Sequence, residues 1–391
     1  MQEKVKALAE QYFKEVVEIR RHLHANPELS FEEFETSKYI CNFLDKNNIP
    51  YRAGYVKTGI VAHIKGKNPE SKVVALRADM DALPIQEVSD APYVSQVPGV
   101  MHACGHDGHS ATLLGVALSL NQLRDKFAGR VRCLFQPAEE TVSGAVSVIA
   151  GGGLDGVDAI VMSHGWPDLP IGVIGLKHGP AMASSDTFEV MITGHGAHAA
   201  YPHLAKDPIL AAASMVVELQ QLVSRNVSPV DSAVISVTMF NAGTARNIIP
   251  DTATIAGTLR TLKHDTRSYL MTRIDEVLQA VGRAHGVDVR VHWKIGTPPV
   301  VNNNAVINHI AGHVSSPAVG GTVTWLEEPT MGAEDFAHYL EHVPGAMLRL
   351  GTDCPYHLHT PGYDFGDDAL AYGIRLLATI GMSPLPTFDK V

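Results

Sequence analysis

Residues 101–109 read MHACGHDGH and bring one thiol and three imidazoles within eight positions of one another. Thiolate and imidazole are both good ligands for zinc-like divalent ions. The glycine between Cys104 and His106 has no side chain, so both groups can turn towards one point. Metal binding is the chemistry this spacing suits. The plainer alternative is a polar turn whose histidines find ordinary hydrogen-bond partners.

A second group is the carboxylate pair Glu139-Glu140, which closes the segment FQPAEE. Two adjacent carboxylates leaving an apolar strand repel each other unless a cation sits beside one of them. Adjacent side chains in extended chain point apart, so one can bind metal while the other faces a bound water. A solvated surface pair is the bland reading, and the apolar run RVRCLFQP before it argues against exposure. Then come His164, where the run DAIVMSH ends, and the two histidines of YHLHTP, His357 and His359. Spacing does not choose between those two. Asp79 and Asp81, in LRADMDALP, suit second-tier groups that orient a histidine ligand.

For such distant residues to meet, the chain must bring them to one edge. The runs 72–80 and 130–137 are nearly unbroken and apolar, as strands buried on both faces require, and 158–164 reads as another. Residues 59–64 read as a further extended segment. Helices are expected over 3–24, after Gly105, over about 333–342 and from Asp367. A second helix through Leu44 is expected to open on a capping box made by Ser30 and Glu33. Strands alternating with helices predict an α/β layer architecture whose sites lie at strand ends. From about residue 184 the pattern changes. Strands are expected at 185–194, 232–240, 252–262 and 287–293, with helices at about 207–225 and 265–285. That is the β-α-β-β-α-β order of a ferredoxin-like unit. The expected organisation is a discontinuous mixed-sheet α/β/α domain, 1–183 plus 295–391, with an α+β domain, 184–294, inserted in it. An insert whose termini lie close together is easily accommodated.

Composition limits the partners. The chain of 391 residues is 45% hydrophobic and carries a formal charge of −10. It can build a sizeable core, and it has no basic run for nucleic acid or anionic membrane. Four scattered cysteines do not make a disulfide framework, and no run is long and apolar enough to span a bilayer. A cytoplasmic protein with reduced thiols is the expectation.

The motifs RADMDALP, MHACGHDGH, FQPAEE, GHGAHAAYPH, NIIPDTATIAGTLR, MGAEDF and HLHTPGYDF together resemble the M20 metallopeptidase family. They are most similar to its amidohydrolase branch of aminoacylases, hippurate hydrolases and auxin-conjugate hydrolases. The likeness spans nearly the whole chain. It implies two divalent ions (Zn, Mn, Co or Ni) per subunit, with Cys104, His106, Glu140, His164 and His359 as ligands. Cys104 would replace a bridging aspartate found elsewhere in the family. Glu139 matches the general base and Asp81 the residue supporting the histidine side of the site. In the insert, His198 matches a group that reaches the substrate oxyanion, often across a dimer, and Asn247 and Arg260 match groups holding a substrate carboxylate. The insert would act as lid and dimer surface of a homodimer or homotetramer, with closure between domains needed for catalysis. The segment after Glu140, Thr-Val-Ser-Gly, departs from the glycine-rich run often found in relatives, and no implied ligand is lost with it.

The implied reaction is hydrolysis of N-acyl-L-amino acids, N-acetyl or N-benzoyl among them. Rivals are a dipeptidase, carboxypeptidase or N-acetyl-diaminopimelate deacetylase of the same fold, and a metal-binding protein without catalysis. A cysteine nucleophile at Cys104 is a further rival, but it leaves the carboxylate pair and the distant histidines without a role.

Overall fold

The computed structural model describes residues 2–385, which fall into two compact units. The larger takes in the chain up to Gly179, Val301–Glu328 and the chain from Asp335 on. The smaller comprises Pro180–Val300 and Pro329–Glu334. The short 329–334 piece belongs there because Ala183 N–H donates to the carbonyls of Thr330 and Gly332.

The larger unit is built on an eight-stranded sheet. Its strands run in the order Tyr51–Tyr55, Gly59–Lys65, Arg130–Gln136, Val73–Asp79, Ala159–Trp166, Gly345–Gly351, Val173–Leu176 and Thr322–Trp325. The four central strands, from 130–136 to 345–351, are mutually parallel, and the strands that adjoin them on either side, 59–65 and 173–176, run antiparallel to them. Every residue of the 73–79 strand is buried. Since alternate side chains face opposite sides, both faces of the sheet are covered there. The helix His106–Gln122 is buried from His106 to Leu120, with no solvent face. It packs against the helices Gln2–Ala25 and Asp368–Met382. The first of these buries Val5, Ala9, Val16, Ile19 and Leu23, one stripe at helical spacing.

The expected capping box does not form. The helix Phe34–Lys46 starts after Glu33 without a side-chain bond from it. Glu28 does the capping, accepting from the N–H groups of Glu35 (3.1 Å) and Thr36 (2.7 Å). Ser30 Oγ instead donates to Asp81 Oδ2 at 2.7 Å, and Glu33 turns inward to buried donors. A buried donor left unpaired costs more than an exposed helix end that water can satisfy, so the interior takes both side chains. The helix expected over 333–342 is also shorter, Ala337–Leu340. Asp335 is drawn to the buried Arg77 and Gln136.

In the smaller unit the antiparallel sheet order is Asp288–Lys294, Asp186–Thr193, Thr252–Thr261, Ala233–Ala242. Numbered along the chain this is 4-1-3-2, the ferredoxin-like arrangement. Helices Pro208–Gln221 and His264–His285 cover one face, where Val190, Ile192 and Ile255 meet Met215, Leu219, Ile274 and Leu278. The expected long helix at 207–225 ends its α-helical course at Gln221 and continues as a π turn, Leu222–Asn226.

Candidate metal centre

Four parallel strands that neighbour one another end at a common edge, and each delivers polar groups there. Asp79 ends the 73–79 strand beside Gln136, its register partner, and Asp81 follows. Glu139 and Glu140 follow the 130–136 strand, His164 lies near the end of the 159–166 strand, and His359 lies in the chain after the 345–351 strand. Cys104 and His106 enter from the start of the buried helix. Gly105 between them has φ 85°, and an added Cβ would lie 2.9 Å from Tyr363 Oη and 3.0 Å from the Phe365 ring. Only glycine fits this turn, which aims both neighbours at one place.

Atoms able to ligate a metal gather in two trios that share Cys104. One is Cys104, His106 and His164; the other is Cys104, Glu140 and His359; within each, the atoms lie within 4.8 Å of one another. Cys104 Sγ is 3.5 Å from His164 Nε2 and 3.3 Å from His359 Nε2. His359 Nε2 is 3.3 Å from Glu140 Oε1, and His106 Nε2 is 3.9 Å from it. His359 has φ 61°, a sparsely populated backbone state, fixed by its N–H donating to the Ala103 carbonyl at 2.8 Å. His357 points elsewhere: its side chain is exposed, 3.6 Å from Asp168.

Hydrogen bonds set which nitrogen is free. His164 Nδ1 faces the Gly165 carbonyl at 2.8 Å and His106 Nδ1 the Asp81 carbonyl at 2.9 Å. A carbonyl only accepts, so both rings carry their proton on Nδ1 and turn an Nε2 lone pair to the centre. His106 Nε2 and Glu140 Oε1 are buried without a hydrogen-bond partner among the described residues. Two orphaned acceptors facing a thiol and two more imidazoles form a donor set that divalent cations fit. The charge balance agrees. Burial pulls the His106 imidazole down, yet Asp79, Asp81 and Glu140 outweigh it and push it up to about 10. The same three carboxylates would favour a cation at the centre, and a bound cation would take the place of that second proton. Burial drives His164 well below the usual histidine range, keeping it in its neutral, ligating form.

Around these atoms runs a supporting shell. Asp81 Oδ1 accepts from His106 Nδ1 (3.2 Å) and Glu139 N–H (3.1 Å), and Oδ2 accepts from Glu140 N–H (3.0 Å) and Ser30. Asp79 Oδ1 accepts from His109 Nδ1 at 2.6 Å, while His109 Nε2 accepts from Gly165 N–H at 2.8 Å. His109 thus braces the strand that carries His164. Buried Arg77 joins Asp79 (2.6 Å) to Asp335 (2.8 Å), whose N–H lies 3.4 Å from Glu139 Oε1. Sequence reasoning gave no role to Arg77, His109 or Asp335. The signals were a charge within an apolar run for Arg77, and membership of MHACGHDGH and MGAEDF for His109 and Asp335.

Within the smaller unit, His198 and Asn247 are neighbours: His198 pairs with Ile248, and Ala199 N–H donates to the Asn247 carbonyl at 3.0 Å. His198 is exposed and its Nδ1 accepts from Ala200 N–H (3.1 Å), which leaves an outward Nε2 donor in the neutral ring. Arg260 lies on the 252–261 strand, half-buried, and burial lowers its affinity for its proton.

A mixed sheet whose strand ends carry candidate metal ligands defines a metallohydrolase-like scaffold. Residues 75–383 match the model of peptidase family M20/M25/M40, and the chain belongs to that family. It is 44% identical to an N-acetyl-L-cysteine deacetylase of Bacillus subtilis over 91% of this chain and 85% of that protein. It is 42% identical to an N-acyl-L-amino acid amidohydrolase of Geobacillus stearothermophilus, covering 77% of this chain and 81% of that one. The crystal structure of the Bacillus subtilis YXEP protein, a dinuclear metal-binding peptidase of the M20 family, superposes with a TM-score of 0.85 at 38% identity. It covers 95% of this chain and 98% of its own.

Proposed function

We propose that this protein is a metal-dependent amidohydrolase that cleaves N-acyl-L-amino acids to a carboxylic acid and a free amino acid. The observation that carries the reading is the pair of ligand trios sharing Cys104, with Glu139 alongside. The names of the deacetylase and amidohydrolase relatives support the substrate class. Cys104, His106, Glu140, His164 and His359 are the residues that would hold two divalent ions. When bound, such ions supply a Lewis acid and an acidified water.

The chain's own groups do the rest. Glu139, buried and adjacent to a ligand, takes a proton at its carboxylate from the attacking water and passes it to the leaving nitrogen. Asp81 fixes the tautomer of His106 and the direction of Glu139 and Glu140. His198 offers an N–H donor for the carbonyl oxygen as charge develops. Arg260 and Asn247 offer donors for a free substrate carboxylate, and the guanidinium fork suits a carboxylate in particular.

Thiolate, imidazole and carboxylate together suit Zn, Mn, Co or Ni. A cytoplasmic setting fits the free thiols of Cys41, Cys133 and Cys354. A homodimer or homotetramer through the smaller unit, which would serve as lid, is supported by exposed Val234, Met239 and Phe240 on its edge strand. The deciding experiment pairs elemental analysis with a panel of N-acetyl and N-benzoyl amino acids and dipeptides. We expect near two metal ions per chain and acyl-amino acid hydrolysis that chelation abolishes and metal restores. Hydrolysis surviving full chelation sinks the reading; dipeptides turned over faster than acyl-amino acids move it to a dipeptidase.

A further inference from the structure

We infer that Glu33 is a positioning residue for catalysis, acting through the backbone of Ala138 on Glu139. The inference rests on Glu139 being the general base. Glu33 is fully buried. Its Oε1 accepts two backbone N–H groups, those of Phe31 (3.0 Å) and Ala138 (2.9 Å). Both donors belong to residues in the left-handed region, Phe31 at φ 65° and Ala138 at φ 56°. Side-chain-bearing residues avoid that region, and persist in it only where their surroundings over-determine it. One carboxylate oxygen holding both amides is such a determinant. Oε2 is anchored in turn by Thr58 Oγ at 2.8 Å, also fully buried.

The consequence appears one residue on. The N–H groups of Ala138, Glu139 and Glu140 are three in succession, and all three end on buried carboxylates: the first on Glu33, the next two on Asp81. Ser30, three positions before Glu33, bonds Asp81. The segment that looked like a helix start is therefore a clamp on the turn that carries Glu139 and Glu140. Among the described residues Asp81 alone fixes the amides of 139 and 140, but the reversal at 138 decides how that pair leaves the strand, and there only Glu33 accepts from the amide.

The test is steady-state kinetics and metal analysis of Glu33→Ala, Glu33→Gln and Glu139→Gln at saturating metal. A misplacement of about 1 Å can cost on the order of 100-fold in rate. Glu33→Ala should therefore lose about ten- to hundredfold in kcat, with KM within about threefold and metal content near wild type. Glu33→Gln should recover most of that loss. Its amide oxygen can accept from both backbone donors, and its NH2 can donate to the Thr58 hydroxyl. Glu33→Ala with two metals and unchanged kcat overturns the inference, as does Glu33→Gln no better than alanine. If Glu33→Ala does not fold, Thr58→Val, which frees only Oε2, decides: a several-fold fall in kcat at constant KM supports the clamp, and wild-type kcat refutes it. Full activity in Glu139→Gln would instead overturn the base assignment, leaving a separate and distinguishable failure.

Discussion

Individual atoms decide whether this centre can work. Cys104 is common to both candidate trios, so if they hold two ions its loss should be felt by both rather than one. Cys104→Ala should lower metal content from near two per chain to below one in elemental analysis; normal stoichiometry would remove the thiol from the ligand set. Glu139→Gln keeps shape and removes basicity. It should retain both ions and lose about 10²–10⁴ in kcat, the usual worth of a placed acid–base group. Loss of metal from a folded Glu139→Gln protein would show that the side chain ligates instead.

At the scale of elements, close approach governs. Gly108 lies on the buried helix that begins at His106, and a Cβ there would sit 2.3 Å from Cγ of the Phe365 ring. Gly108→Ala adds helix propensity worth roughly 1 kcal/mol, but overpacking a full core costs about 1–3 kcal/mol. Here the contact is with a buried ring rather than a flexible tip, so we expect a net fall in thermal stability by calorimetry. This scale also shows what the sequence could reveal. The central strands were legible because strands buried on both faces must be apolar, and polar groups at their ends then stand out. The short flanking strands 51–55, 173–176 and 322–325 carry no such signal. The helix Asn304–Val314 does carry one, an Asn303 cap before Val306, Ile307 and Ile310. His357 and His359 could not be told apart because the choice lies in the backbone angle at 359 and a bond to Ala103. Ser30 and Glu33 misled because their true partners, Asp81 and Ala138, are remote in the chain.

For the molecule as a whole, the N-terminal helix is tied to the site through His24. Its Nδ1 lies 2.8 Å from Asp107 and its Nε2 3.2 Å from Glu87, while Arg20, Tyr93 and His102 complete its surroundings. Burial pulls its proton affinity down, but the two carboxylates outweigh burial and Arg20, raising it to about 9. A group raised on folding stabilises fully below its unfolded value, near 6.5, and the benefit fades as pH climbs through 9. Denaturation midpoints should therefore decline between those limits, and the decline should be shallower in His24→Gln; parallel curves for the two proteins would refute the linkage.

Cys104 and His359 stand 255 positions apart, yet their ligand atoms nearly touch. An ion held by both would be a removable cross-link closing a very long loop, and clips that close long loops stabilise most. Free metal in the medium would then help hold the folded population itself, and starvation for it would expose the polypeptide to proteolysis as well as stop turnover.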